Sequence, residues 1–316
     1  MSMENVDATK VRRKKKEKPQ AELTYVQKMK LTPMGYVFQF INGLFLTIFA
    51  LACLIPFLNV IGTSFATTKE VLLRDFIIIP HTFSLSAYRY VFSTPTVTRA
   101  VGVSIFVTVV GTALSLMVTS LMAYGLSRTY LYGRRVLNFL VLFTMLFSGG
   151  MIPSFLVVSN LGLTNTLWAL IIPSTVSAYN MIIMRNFFQG ISPSLEEAAK
   201  IDGANHLQIF GRVMLPLSKA SFATIGLFYA VTYWNTYRSA ILYLTDTKKW
   251  PIQVLLRQIV LMSSGSDFDT GSVEVVPPSQ SVRMAVIVVA TLPILLVYPF
   301  IQRYFIHGAM LGSVKG

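Results

Sequence analysis

Six apolar runs, separated by stretches of mixed polarity, organise this chain; they cover about 37–65, 101–124, 137–158, 167–184, 220–243 and 282–301. Each approaches or exceeds the roughly 20 helical residues needed to cross a hydrocarbon core about 30 Å thick. The pattern predicts an all-α membrane protein with six transmembrane helices. Pro56 is expected to kink the first span, and Gly149, Gly150 and Pro153 to break the third. Ahead of the spans, residues 1–35 read as a basic tail, mobile or interfacial, and 36–316 as one membrane domain. Two polar stretches stand out: a helical-looking segment at 189–219, and a long segment at 244–281 with an amphipathic helix near 252–261.

Composition supports this picture. Hydrophobic residues make up 53% of the chain and charged residues 13%, about half the usual charged share of a soluble domain. The first apolar run lies too deep and runs too long for a cleaved signal peptide, so it is expected to stay as an anchor. Cys53 is the only cysteine. It excludes an intrachain disulfide and reads as a packing residue.

The net charge of +14 adds orientation. Its densest run, Arg12 to Lys16 with Lys10 and Lys18, precedes the first span. Such a run fixes topology and rests on anionic lipid headgroups. No folded basic module accompanies it, so nucleic acid is not an expected partner. Lys and Arg are concentrated in the tail, at 126–136, at 185–219 and at the C-terminal end, and are sparse at 66–100, 158–166 and 241–281. The asymmetry predicts that both termini are cytoplasmic.

Several chemistries are excluded. None of the 13 acidic residues falls in an expected span, whereas proton-coupled carriers keep an ionisable relay in the bilayer. His81, His206 and His307 lie in three different segments. They predict no metal site and no base for a serine nucleophile, so no catalytic residue is expected. There is no phosphate-binding G-x-x-x-x-G-K-[ST] loop. Uphill transport would need energy from a separate subunit.

The segment 192–216 reads as helix, turn, helix. Its start is either a capping box of Ser194 with Glu197, or Ser192 as cap with Pro193 in the first turn. Glu196 and Glu197 suit the positive end of that helix. Ala198 and Ala199 form a smooth face, Gly203 permits a sharp turn, and Pro216 is expected to interrupt the second helix.

Here the chain resembles binding-protein-dependent ABC-importer permeases. Their loop has the form E-A-A, three residues, G, nine residues, I-x-L-P. This sequence has Glu197-Ala198-Ala199, then Gly203, then Val213-Met214-Leu215-Pro216, with valine in place of isoleucine. The resemblance implies the type I ABC-importer permease fold. It also implies that Glu196, Glu197, Ala198, Ala199, Asp202, Gly203, Leu215 and Pro216 form a coupling helix that docks on an ATPase subunit. No cofactor is then bound by this chain, since ATP and Mg2+ belong to the partner ATPases.

Leu195 to Ala204 is similar to the carbohydrate-uptake branch, where Asp-Gly follows the Ala pair. Stretches 147–153, 180–188 and 229–235 look like the LplC-type oligosaccharide permeases. The ending 308–316 is similar to the maltose-importer permease that lacks the large periplasmic insert, whose tail reaches between the ATPases. That implies a similar contact for Ser313, Val314 and Lys315. Implied partners are a second, homologous permease subunit, two ATPase subunits, an extracellular or periplasmic solute-binding protein and membrane lipid. The implied location is the bacterial inner membrane. The segment 244–281 matches in position the loop that probes the binding protein.

Polar side chains within spans are costly and line an aqueous path or bridge helices. Asn180, Trp234, Asn235 and Tyr237 are the candidates for a sugar path, because aromatic faces and amides suit sugars. The rival readings are a secondary carrier, which predicts intramembrane charges or an inverted repeat, a membrane enzyme, and an importer permease for a non-sugar solute.

Overall fold

The computed structural model describes residues 33–263 and 279–313. All regular elements among them are helical, with one isolated bridge, Ala66 to Phe83. The basic tail to residue 32, residues 264–278 of the long polar segment, and residues 314–316, with Val314 and Lys315, lie outside the described residues.

The chain divides into two units at Pro56. The first holds most of α1 (Pro33–Ser64). It is apolar on every side and exposed throughout, with Phe38, Phe40, Phe45 and Phe49 all more than half exposed. A helix apolar all round requires a non-aqueous environment.

In the second unit, the end of α1 is tied down by short elements. Asn59 Oδ1 accepts the Ile77 amide at 2.9 Å, and Ser64 Oγ lies 2.8 Å from Tyr88 Oη. Helix α2 (Thr68–Leu73) carries buried Glu70, which accepts the His81 amide at 2.8 Å. Helix α3 (Ser86–Ser93) supplies Tyr88.

The core is built on α4 (Pro95–Ser127). Lipid gives helices little hydrophobic reason to associate, so small residues and hydroxyls must let backbones approach and bond. In α4 these are buried Ser104, Gly111, Ser115 and Thr119. Gly111, Ser115 and Thr119 face α12 (Lys219–Trp234), reached after the loop elements described below, while Ser104 Oγ accepts the Ile252 amide at 2.9 Å.

The third expected span is two helices, α5 (Arg134–Leu146) and α6 (Met151–Asn160), bent by 117°. The break falls at Gly149 and Gly150, as expected; Gly150 has φ 86°, which L side chains rarely adopt. Pro153 instead sits in the first turn of α6, where a missing amide costs nothing.

The fourth is also in pieces: α7 (Trp168–Ile171), a tight turn at Ile172–Ser174, and α8 (Ala178–Gly190). Its freed backbone groups are satisfied from α12. Tyr233 Oη donates to the Ile171 carbonyl at 3.1 Å, and Tyr229 Oη accepts the Ser177 amide at 3.0 Å. The same hydroxyls meet Ser115 Oγ at 2.8 Å and Thr119 Oγ1 at 2.7 Å. Two tyrosines of α12 therefore tie together α4, α7 and the cap of α8.

The loop between α8 and α12 holds α9 (Pro193–Ile201), α10 (His206–Ile209), a π turn at Phe210–Met214 and α11 (Leu215–Leu217). Beyond α12 come α13 (Arg238–Tyr243), α14 (Ile252–Ser263) and α15 (Gln280–Ser313). Among the described residues, three helices are long and apolar enough to cross a membrane, or five if each bent pair counts as one span.

Candidate functional site

The segment 193–217 forms the helix–turn–helix expected from its sequence. Its start follows the second of the two readings: Ser192 occupies the cap position and Pro193 the first turn. Ser194 therefore lies inside the helix, and its hydroxyl meets Ser192 Oγ at 2.8 Å rather than closing a box with Glu197. The capping box belongs to the second helix. There Asn205 Oδ1 accepts the Gln208 amide and Gln208 Oε1 accepts the Asn205 amide, each at 2.9 Å.

Gly203 makes the turn between the helices, with φ 78°. Around it the Gly203 amide donates to Lys200 O at 3.0 Å and the Ala204 amide to Ala199 O at 2.9 Å. These are the two bonds of a Schellman stop, which satisfy the last carbonyls of α9 and need a left-handed residue between them.

Pro216 acts two residues later than expected. The helix widens into the π turn before it, passes through α11, and bends by 85° into α12 after Ser218. A proline ring crowds the carbonyl four residues back, and a wider turn relieves that contact.

The turn is presented outward. Glu197, Ala198, Asp202, Gly203, Leu215 and Pro216 are exposed, and Ala199 is half-buried against the core. Ile201 and Leu207, on either side of Gly203, are 87% and 73% exposed. Leu207 is exposed although Ile209 and Met214 of the same helical stretch are buried.

Glu196 is the exception, being buried. Arg128, which follows α4 directly, is ion-paired to it. Tyr130 Oη donates to its Oε1 at 3.0 Å, and Lys200 Nζ lies 2.9 Å from the same oxygen. Burial alone pushes the Glu196 carboxyl up, but hydrogen bonds from Lys200 and Tyr130 and the charges of Arg128 and Lys200 outweigh it. Its pKa falls below the ordinary carboxylate value. A depressed pKa adds stability that is present above the unfolded-state value and is lost as pH falls through the folded-state value. The stability difference between the native protein and Glu196→Gln is therefore expected to be constant near neutral pH. It should shrink below about pH 4, as read from thermal denaturation of the purified protein.

The sequence singled out neither Arg128, Tyr130 and Lys200 as partners of Glu196 nor Ile201 as an exposed knob. Arg128 and Tyr130 follow the second span, more than sixty residues away, and charge alone marked Arg128.

The four path candidates are not brought together. Asn180 is buried and lines a cavity of about 780 Å³ with Ser174, Ser177, Tyr229 and Thr232. Trp234 is buried elsewhere, its Nε1 donating to Ala290 O at 2.9 Å. Asn235 is exposed at the end of α12, its amide donating to Val231 O at 2.9 Å. The Tyr237 ring carries the Arg257 guanidinium at 4.4 Å. Of the proposed tail contacts, only the backbone of Ser313, the last residue of α15, is described.

Comparison with known proteins gives a consistent family. The profile of the binding-protein-dependent transport system inner membrane component matches residues 35–309. The polygalacturonan/rhamnogalacturonan transport system permease protein YtcP of Bacillus subtilis is 62% identical over 277 residues, 86% of this chain and 96% of that protein. Protein LplC of the same organism is 51% identical over 293 residues, 92% of this chain and 99% of that one. Among solved structures, a chain of a bacterial ABC transporter involved in the import of the acidic polysaccharide alginate superposes with a TM-score of 0.80. It is 35% identical and covers 87% of this chain and 98% of that chain.

Proposed function

Since this chain belongs to the family of binding-protein-dependent transport system inner membrane components, we propose that it is one half of the membrane pore of an ATP-driven oligosaccharide importer. It is a multi-pass membrane protein and a transport subunit. A second, homologous permease subunit completes the pore. Two ATPase subunits hold ATP and Mg2+ and supply the energy, and an external solute-binding protein delivers cargo. In this reading six spans cross the membrane with both termini cytoplasmic, the broken helices at 134–160 and 168–190 each counting as one. The unit 36–316 is the permease, and the tail is its cytoplasmic lead. Ser313 to Lys315 reach the ATPases, and Asn180 contributes to the solute path.

The observation that carries the reading is the exposed turn at Gly203. Around it Glu197, Ala198, Ile201 and Leu207 form an outward face that is exposed among the described residues and suits a cleft on another subunit. Relatives named for polygalacturonan, rhamnogalacturonan and alginate favour a sugar over another solute and make acidic oligosaccharides the first cargo to test.

The assay is uptake by proteoliposomes holding both permease subunits, the ATPases and the binding protein. Oligogalacturonides are expected to stimulate ATP hydrolysis and enter, whereas amino acids should do neither. Glu197→Lys should cut uptake at least about tenfold, the scale of a typical coupling free energy. Uptake at the native rate in that variant would remove the docking role.

A further inference from the structure

Neighbouring residues of an α-helix point about 100° apart, so Glu196 and Glu197 cannot face the same partner. The structure separates them sharply. Glu197 is exposed, and among the described residues no ion pair reaches it. Glu196 is turned inward onto a guanidinium that is largely enclosed, with side-chain exposures of 11% for Arg128 and 6% for Glu196.

Arg128 is more than the other half of a pair. Its Nη2 reaches the Phe188 carbonyl on α8 at 3.5 Å and Met214 Sδ, ahead of α11, at 4.0 Å. Its guanidinium lies 4.8 Å from the centre of the Tyr124 ring on α4. One side chain at the end of α4 thus touches α8, α9 and the second helix of the loop. Tyr130 holds Glu196 from the other side, and Lys200 stacks over the Tyr130 ring at 4.5 Å. Charges removed from water are costly unless paired and hydrogen-bonded on all sides. Here both partners are held: Arg128 Nε also donates to Ser127 Oγ at 2.9 Å, and Glu196 accepts from Tyr130 at 3.0 Å.

We propose that Arg128 and Glu196 are the positioning pair through which movement of α9 is handed to α4. Glu197 and its exposed neighbours would receive the push from the partner, and Glu196 would deliver it through Arg128 to the helix that packs against both α8 and α12. The inference rests on the docking role proposed above. Without an internal fastening, α9 would pivot on the turns at Ser192 and Gly203, and its motion would be lost in the loop.

The test compares uptake per ATP hydrolysed in the reconstituted complex, alongside assembly read by co-purification of all subunits. Glu196→Leu leaves Arg128 without its carboxylate, Arg128→Met leaves Glu196 to the half-exposed Lys200 and to Tyr130 alone, and both are expected to lower assembly. The double variant R128M/E196L removes that penalty and is expected to assemble like the native chain. It should still import at least about tenfold less sugar per ATP. A purely structural pair would instead recover both measures together, and native uptake per ATP in the assembled double variant overturns the proposal.

If the double variant does not assemble, Tyr130→Phe decides. It removes one hydrogen bond from Glu196 without stranding a charge and should lower uptake per ATP about threefold, the scale of one lost hydrogen bond. An unchanged ratio there overturns the proposal equally. Glu197→Lys in the same preparation separates the two ideas. If it uncouples while R128M/E196L does not, docking stands and the internal link falls; if it changes nothing, the docking role itself falls.

Discussion

Gly203→Val is expected to abolish coupled uptake while the membrane core stays folded. The residue sits at φ 78° with open space around it: a Cβ there would meet nothing within 4 Å. The cost of a side chain is therefore backbone strain alone, roughly 1–2 kcal/mol for an ordinary residue and more for a β-branched one. The chain can escape that strain by abandoning the left-handed turn. It then loses the bonds from Gly203 to Lys200 and from Ala204 to Ala199, and α10 swings away from α9. Either way the outward face of Glu197, Ala198, Ile201 and Leu207 is no longer one surface. Uptake should fall at least about tenfold, equivalent to 1.4 kcal/mol, with α-helical content and solubilised yield near native. Gly203→Asn is the control, because asparagine tolerates the left-handed region and should retain much of the activity. Equal loss in both variants would mean that chemistry at this position matters, and not its backbone.

The second large effect concerns the core. Gly111→Ala is expected to lower the thermal stability of the purified protein by about 1–3 kcal/mol, the range for overpacking. Its new methyl would lie 2.8 Å from atoms of the Tyr233 ring. That ring cannot easily retreat. Its hydroxyl is held by Ser115 at 2.8 Å and donates to the Ile171 carbonyl at 3.1 Å. Pushing it away strands buried polar groups on α4 and α7 together. Tyr233→Phe separates the contributions: it keeps the packing, loses the hydroxyl, and should cost about 0.6–1.7 kcal/mol, the range for such bonds between membrane helices. Because Tyr233 ties α4 to α7, Gly111→Ala should cost more than Tyr233→Phe. A Gly111→Ala protein as stable as the native one would show that α12 slides freely along α4.

How much of this was legible in advance differs by element. The break of the third span at Gly149 and Gly150 was readable because positive φ belongs almost wholly to glycine. The turn at Gly203 and the helices around it were readable for the same reason, and their spacing matched a known loop. Pro216 was legible as a disruption but not as to where the bend would fall, since the π turn before it displaced the bend by two residues. Ser194 and Glu197 fitted a capping box as well as Asn205 and Gln208 did. Which box closes depends on where the chain enters the helix, and Pro193 settled that entry.

The path candidates show the other limit. Trp234, Asn235 and Tyr237 are close in sequence, yet α12 ends between them, so Trp234 is buried against α15, Asn235 is exposed and Tyr237 lies under Arg257. Composition and periodicity by themselves determined that the chain is an all-helical membrane protein, because apolar length and scarcity of charge are properties of the sequence alone. The spacing of the loop determined the two helices and the turn at Gly203 between them. Only the tertiary structure decided that Glu196 faces inward to Arg128, that Tyr229 and Tyr233 repair the broken fourth span, and that Asn180 stands apart from Trp234. Each of these joins residues tens of positions apart, and a buried ion or hydroxyl takes its partner from whatever helix packing brings within reach.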